Sequence, residues 1–424
     1  MRTIENISAR EVLDCRGNPT VQADVLLSGG AFGTAIVPTG ASMSTAEARE
    51  LRDGGSRYLG KGVLKAVANV NHTISPMLTG LDASDLGALD KMMIEMDSTS
   101  NKQVLGANAI LAVSLAMAKA LANAEGMPLY KLIGGTGANV LPVPMMNIMS
   151  STAKPSSNID IREFMIMPVG APNFTEGLRM CVEVIHSLAR LLKTEGLSSA
   201  EGGAGQFTPN LSGDEAAIEL ILRSIVEACY IPGEDFVLAI NAAASEWELP
   251  AGGYRQPKSG REFSTTALVS YWASLVSRYP IASLEDGLGN EDWDGWKLLT
   301  DTLGDRFQLI GNDLFVTNPS RLQKGIDLGC ANAALIHPTQ IGSLSETLAT
   351  IALAHGAGYS SVISHRLGET EDTTIVDLCV ATGAGQIKAG SPVRGEHVAK
   401  YNRLLRIEEE LGDSALWPGK LCFD

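Results

Sequence analysis

Five short apolar runs in the second half of the chain each lead into a side chain able to carry chemistry. Phe236-Val237-Leu238-Ala239-Ile240 runs into Asn241, Ile281-Ala282-Ser283-Leu284 into Glu285, and Phe307-Gln308-Leu309-Ile310 into Gly311-Asn312. Ala333-Ala334-Leu335-Ile336 runs into His337, and Ser361-Val362-Ile363-Ser364 into His365. Together these ends supply one carboxylate, two amides and two imidazoles. An imidazole exchanges protons near neutral pH, so His337 suits deprotonation of an oxygen or a proton relay. A buried histidine bonded to a structural partner is the competing reading of the same residue.

Such residues act together only where the chain brings their run ends to one place. Longer helical stretches separate the runs, so the pattern is strand then helix, repeated. Repeated βα units with polar residues at the strand ends are the pattern of a (β/α)₈-type barrel, whose active site lies at the C-terminal ends of its strands. An open doubly wound sheet is the alternative built from the same units. Residues 1 to 135 differ and read as α+β. Val21-Gln22-Ala23-Asp24-Val25-Leu26-Leu27 alternates as a strand before a Gly29-Gly30 turn. Residues 106–125 are Ala/Leu-rich and predict a helix ending near Gly126, with Pro128 beyond it. Gly134-Gly135-Thr136-Gly137 marks the expected domain boundary, with the barrel over 140–424.

The chain has 424 residues, 45% hydrophobic and 19% charged, which suits a two-domain globular protein with a large core. Its net charge of -15 opposes nonspecific binding to nucleic acid or anionic membrane. An anionic substrate would need a local cluster of cations or metal to overcome that field. Cys15, Cys181, Cys229, Cys330, Cys379 and Cys422 are scattered with no CxxC pair, as expected of free thiols in a reducing compartment. No apolar run reaches membrane-span length and Met1-Arg2-Thr3-Ile4-Glu5-Asn6 lacks a signal core, so the expectation is a cytoplasmic protein.

Four further stretches carry a family resemblance. Cys15-Arg16-Gly17-Asn18-Pro19-Thr20, Gly106-Ala107-Asn108-Ala109-Ile110-Leu111-Ala112-Val113-Ser114, Ser283-Leu284-Glu285-Asp286-Gly287-Leu288 and Ser364-His365-Arg366-Leu367-Gly368-Glu369-Thr370 lie close to enolase signatures, in the family's order. The chain thus resembles an enolase almost end to end. The resemblance implies an enolase-like α/β fold, with an N-terminal α+β capping domain over 1–135 and an enolase-type barrel over 140–424. It also implies a small anionic phosphorylated substrate and a homodimer, or a higher homo-oligomer, paired through N-terminal domains. Enolase-type chemistry removes a very weakly acidic proton beside a carboxylate, using a Lys base, a Glu acid and two Mg²⁺ ions held by carboxylates.

Carried onto this chain, those positions are substituted. The three metal carboxylates correspond to Asn241, Glu285 and Asn312, so two have lost their charge. Mg²⁺ prefers anionic oxygen, so Mg²⁺ would meet only a weakened protein site. Asp313 is expected to point away from the barrel. The Lys base corresponds to His337 in Ile336-His337-Pro338-Thr339-Gln340-Ile341-Gly342. A gapless match of the acid loop gives Gly203 and Ala204 and no acid; a slide of three residues would instead install Glu201 of Glu201-Gly202-Gly203. Lys154 replaces the lid histidine, and Leu367 replaces a serine after His365-Arg366. Ser42, Glu163, Arg366 and Lys388 are kept. The resemblance therefore assigns His337, Lys388, Glu201 and Glu163 to catalysis. It assigns Arg366, Lys388, Ser42, Lys154 and His365 to substrate binding. Arg366 and Lys388 form a cationic pair able to hold a carboxylate and a phosphate or phosphonate.

Three functions follow from this pattern. One is an enzyme repurposed on the scaffold, similar to the carboxyphosphonoenolpyruvate synthase of phosphinothricin-type phosphonate pathways, acting on a phosphorylated or phosphonylated three-carbon acid. A second is a catalytically inactive homologue. The third is ordinary 2-phosphoglycerate dehydration by a rearranged site.

Overall fold

A computed structural model describes residues 2–40, 46–151 and 158–423. The N-terminal part opens with an antiparallel meander of β1 (Ile4–Leu13), β2 (Pro19–Leu27) and β3 (Phe32–Ile36). Alternation along β2 buries Val21, Ala23, Val25 and Leu27 against the helix Ala107–Ala124. That helix is rich in alanine, so backbone can approach backbone. A Cβ on Gly33 would stand 2.2 Å from both Ala116 O and Ala120 N. Among the described residues it is the one helix long and apolar enough to cross a membrane, and 83% of it is buried inside the protein.

The remainder is a barrel. Its strands are β4 (Val143–Pro144), β5 (Met146–Ser150), β6 (Glu163–Met167) and β7 (Val237–Asn241); a small hairpin, β8 (Tyr254–Arg255) with β9 (Glu262–Phe263), stands outside the barrel sheet. It continues through β10 (Ile281–Glu285), β11 (Gln308–Gly311), β12 (Ala333–Ile336), β13 (Ser360–Ser364) and β14 (Gly385–Lys388). The sheet order is β4-β14-β13-β12-β11-β10-β7-β6-β5. β4 and β5 are successive pieces of one run, one pairing with β14 and the other with β6, so the sheet closes on itself. The expected enolase-like α/β architecture is therefore present.

One strand departs from a simple βα repeat. β6 runs antiparallel to both β5 and β7. The reversal has a consequence for the site: Glu163, at the start of β6, lies opposite Asn241 at the end of β7.

The two parts meet where Cys15-Arg16-Gly17 docks on the loop after β13. Cys15 N donates to Glu369 O at 2.8 Å, and Thr39 and Gly368 exchange backbone bonds of 2.8 and 2.9 Å. Arg16 Nη2 donates to Asp14 Oδ2, Thr39 Oγ1 and Gly40 O at 3.2, 2.8 and 3.1 Å. A kept N-terminal motif thus supports the loop that carries Arg366.

Candidate active site

The C-terminal mouth of the barrel holds a cavity of about 520 Å³. Asn241, Glu285, Asn312, His337, His365, Arg366, Lys388 and Glu163 all line it. The strand-end residues read from the sequence therefore do converge. Backbone strain gathers at the same mouth: Ala243, Asp286, Val316 and Thr317 have φ of +51°, +47°, +44° and +54°. Left-handed φ at non-glycine residues persists only where surrounding structure fixes it. Here Asp286 accepts the backbone N–H groups of Asn312 and Asp313 at 2.9 and 3.1 Å. Two buried indoles pin the loop after Glu285, Trp272 Nε1 donating to Gly287 O at 2.8 Å and Trp296 Nε1 to Gly289 O at 3.0 Å.

At the centre, Lys388 Nζ donates to Glu163 Oε2 at 2.7 Å and to Glu285 Oε2 at 2.8 Å. Asn241 Nδ2 donates to the same two carboxylates, at 2.9 Å to Glu163 Oε2 and 2.9 Å to Glu285 Oε1. Asn312 Nδ2 reaches Glu285 Oε1 at 3.3 Å, and Asn147 Nδ2 reaches Glu163 Oε1 at 2.9 Å. Burial would lower the Lys388 pKa, but the two carboxylates together raise it, so the ammonium is retained. Burial also works against Glu163, yet Lys388 and Asn241 hold its carboxyl at about 2. Glu285 shares the same lysine but shifts the other way. Burial pushes it up, helped by the negative charges of Glu163 and Asp313. Of the two, Glu163 is the firmer anion.

His337 is buried, and its Nδ1–H faces Ser364 O at 3.1 Å. That bond leaves Nε2 as the acceptor. Burial, then the positive charges of Arg366 and Lys388, drive its pKa well below the ordinary imidazole value. His337 therefore stays neutral at physiological pH until a bound anion offsets those cations. His365 is likewise buried, with Nδ1–H facing Lys388 O at 2.9 Å. Burial lowers its pKa too.

Arg366 Nη2 meets Glu47 Oε2 at 3.3 Å, and Gln340 Nε2 meets Glu47 Oε1 at 3.4 Å. Gln340 in turn accepts the Thr317 hydroxyl at 2.9 Å, and Thr317 Oγ1 accepts the His337 backbone N–H at 2.9 Å. Arg366 Nε and Asn312 Oδ1 are buried without a hydrogen-bond partner among the described residues.

Two expectations do not match the geometry. Glu201 does not line the cavity. Its side chain is 44% exposed and lies 4.0 Å from Arg394 Nε. The tight turn after it explains this. Gly202 N donates to Gln206 O at 2.7 Å and Ala204 N to Gln206 Oε1 at 2.9 Å, so Gln206 turns into the cavity instead. The slide that would install an acid there is not adopted. Asp313, expected to point away, lines the cavity, because β11 ends at Gly311 and the strand's alternation no longer applies beyond it. Ser42 and Lys154 lie outside the described residues.

Glu47, Arg162, Gln206 and Gln340 also line the cavity and were missed from sequence. Arg162 and Gln340 adjoin Glu163 and His337 along the chain, which was the one available signal. Glu47 arrives from the N-terminal domain and has no periodic pattern to betray it.

Two family comparisons match the chain in succession. The model described as "Enolase, N-terminal domain" covers residues 4–133, and "Enolase, C-terminal TIM barrel domain" covers 138–424. The chain belongs to the enolase family. That family generally uses Mg²⁺, so the residues present must be tested against such an ion. Among the described residues, no group of three or more His, Cys, Asp or Glu side chains is arranged to hold a metal ion. The donor set gives the reason. Mg²⁺ takes oxygen ligands at near-octahedral geometry, whereas Glu285 is surrounded by N–H donors of Asn241, Asn312 and Lys388. This arrangement does not fit the ion.

Proposed function

We propose that this enolase-family protein is an enzyme repurposed to act on an oxygen of a small phosphorylated or phosphonylated three-carbon acid. Its reaction would resemble that of a carboxyphosphonoenolpyruvate synthase rather than ordinary 2-phosphoglycerate dehydration. The observation carrying this reading is the trio of substituted side chains at the cavity: Asn241 and Asn312 at metal-carboxylate positions and a neutral His337 at the base position. A neutral imidazole beside two cations is a poor base for a carbon acid and a serviceable acceptor for a hydroxyl proton. Losing the metal ligands and the lysine base would each cost several kcal/mol of stabilisation in carbon-acid chemistry.

In the reaction envisaged, Lys388 and Arg366 hold the acid's carboxylate and its phosphoryl or phosphonyl group. Ser42, Lys154 and His365 complete the substrate contacts. The hydroxyl oxygen of the three-carbon acid attacks the phosphorus of an activated phosphonoformyl donor. One P–O bond forms, the P–O bond to the activating group breaks, and the hydroxyl proton passes to His337 Nε2. No step uses a metal ion, and Glu201 takes no part. We also propose that the protein is a homodimer, as the family resemblance implies.

A second reading, an inactive homologue, draws on the pairing of the cavity's cations among the described residues: Lys388 with Glu163 and Glu285, Arg366 with Glu47, Arg162 with Glu246. Phosphorus NMR of the protein with a nucleotide-activated phosphonoformate and 2-phosphoglycerate separates the readings. A new phosphonate ester signal supports the transferase. An unchanged spectrum from folded protein, with no thermal shift on adding phosphonoformate, supports the inactive homologue.

A further inference from the structure

The orientation of one amide says more about the centre of this cavity than the lost charges do. Asn241 Oδ1 accepts the backbone N–H of Ala243 at 2.9 Å. Turning the amide over would set its NH₂ against that N–H and leave both donors unpaired, a cost of about 1–3 kcal/mol for each buried unsatisfied group. Asn241 is therefore locked with Nδ2 toward Glu163 and Glu285. Its register at the end of β7 sets it opposite both Glu163 and Glu285.

The carboxylates are consequently committed. Every oxygen of Glu163 and Glu285 accepts at least one N–H: Glu163 Oε1 from Asn147, Glu163 Oε2 from Lys388 and Asn241, Glu285 Oε1 from Asn241 and Asn312, and Glu285 Oε2 from Lys388. The Lys388 side chain is 5% exposed and bridges the two anions. We propose that the Lys388 ammonium is the resident cation of this site, standing in place of a divalent ion, and that the resting protein binds no metal between Glu163 and Glu285. An ammonium has three donors and no acceptor. Two of its protons are used on the carboxylates, and the third remains for a ligand anion. The site then presents a fixed positive charge without metal uptake. This inference does not depend on the substrate proposed above, since it is read by metal binding and not by turnover.

The test is titration of the purified full-length protein with Mn²⁺, followed by the free-ion EPR signal, for wild type and Glu285→Gln. Absence of binding below millimolar Mn²⁺ in wild type is the expected result. Binding that survives Glu285→Gln lies elsewhere on this acidic chain and also agrees. Sub-millimolar binding in wild type that is lost in Glu285→Gln overturns the proposal. Lys388→Met gives a second reading by thermal shift. Mn²⁺ is expected to raise its unfolding temperature by more than that of wild type; an equal shift in both proteins that Glu285→Gln abolishes overturns the proposal.

Discussion

Lys388 is held by two buried carboxylates, and removing it leaves those anions facing one another. Breaking a buried ion pair by deleting one partner costs about 3–5 kcal/mol. Lys388→Met should lose stability in that range by chemical denaturation, and Lys388→Met with Glu163→Gln should recover part of it, because one of the two unpaired charges is then gone. A loss of under about 1 kcal/mol would mean the pair is solvated and worth no more than a surface bridge. His337 gives a pH test with a definite sign. Its folded pKa lies well below the ordinary value of 6.5, so the unfolded chain binds the extra proton. Its contribution to stability is present above about pH 6.5 and is lost as pH falls below it. His337→Gln should therefore fall less in unfolding temperature than wild type between about pH 8 and about pH 5. His365 and His397 are shifted the same way by burial, so the variant should flatten the profile and not abolish its slope.

At the scale of elements, the site depends on a loop braced from another domain. A Cβ on Gly368 would stand 2.1 Å from Thr39 Oγ1 and 2.4 Å from both Arg16 Nη2 and Asp14 Oδ2. Gly368→Ala should push the Arg366 loop off its brace. Overpacking of this kind costs about 1–3 kcal/mol. Titration calorimetry with phosphonoformate should show weaker binding in the same variant, since Arg366 precedes the bend by two residues. Unchanged stability and affinity would show that the brace is idle. The elements themselves were largely legible. An apolar run that stops at Asn241, Glu285 or His337 announces a strand and its end together. The direction of β6 was not legible, because parallel and antiparallel runs look alike until the connection is known. The Glu201 loop stayed open in the sequence, because the gapless match that left no acid competed with a three-residue slide that installed Glu201; the Gln206 contacts agree with the gapless match. Asp313 was misdirected by extending strand alternation past Gly311, where the strand has already ended.

For the whole molecule, the charge of -15 frames what the cavity must do. An anion approaches an acidic protein against its field, and among the described residues the cations at the mouth, Arg162, Arg366 and Lys388, already have carboxylate partners. Ligand binding must therefore compete with Glu47 for Arg366 and share Lys388 with Glu163 and Glu285. Sedimentation should give a species of twice the 44.7 kDa chain if the proposed dimer forms; a monomer at all micromolar concentrations would remove it. The central claim is that this enolase-family site no longer performs carbon-acid chemistry. Its most direct test is a proton and phosphorus NMR time course of folded protein with 2-phosphoglycerate and Mg²⁺ in D₂O. The C2 proton signal should persist and no phosphoenolpyruvate should form. Loss of that proton, or phosphoenolpyruvate produced at ordinary enzyme rates, would contradict the claim.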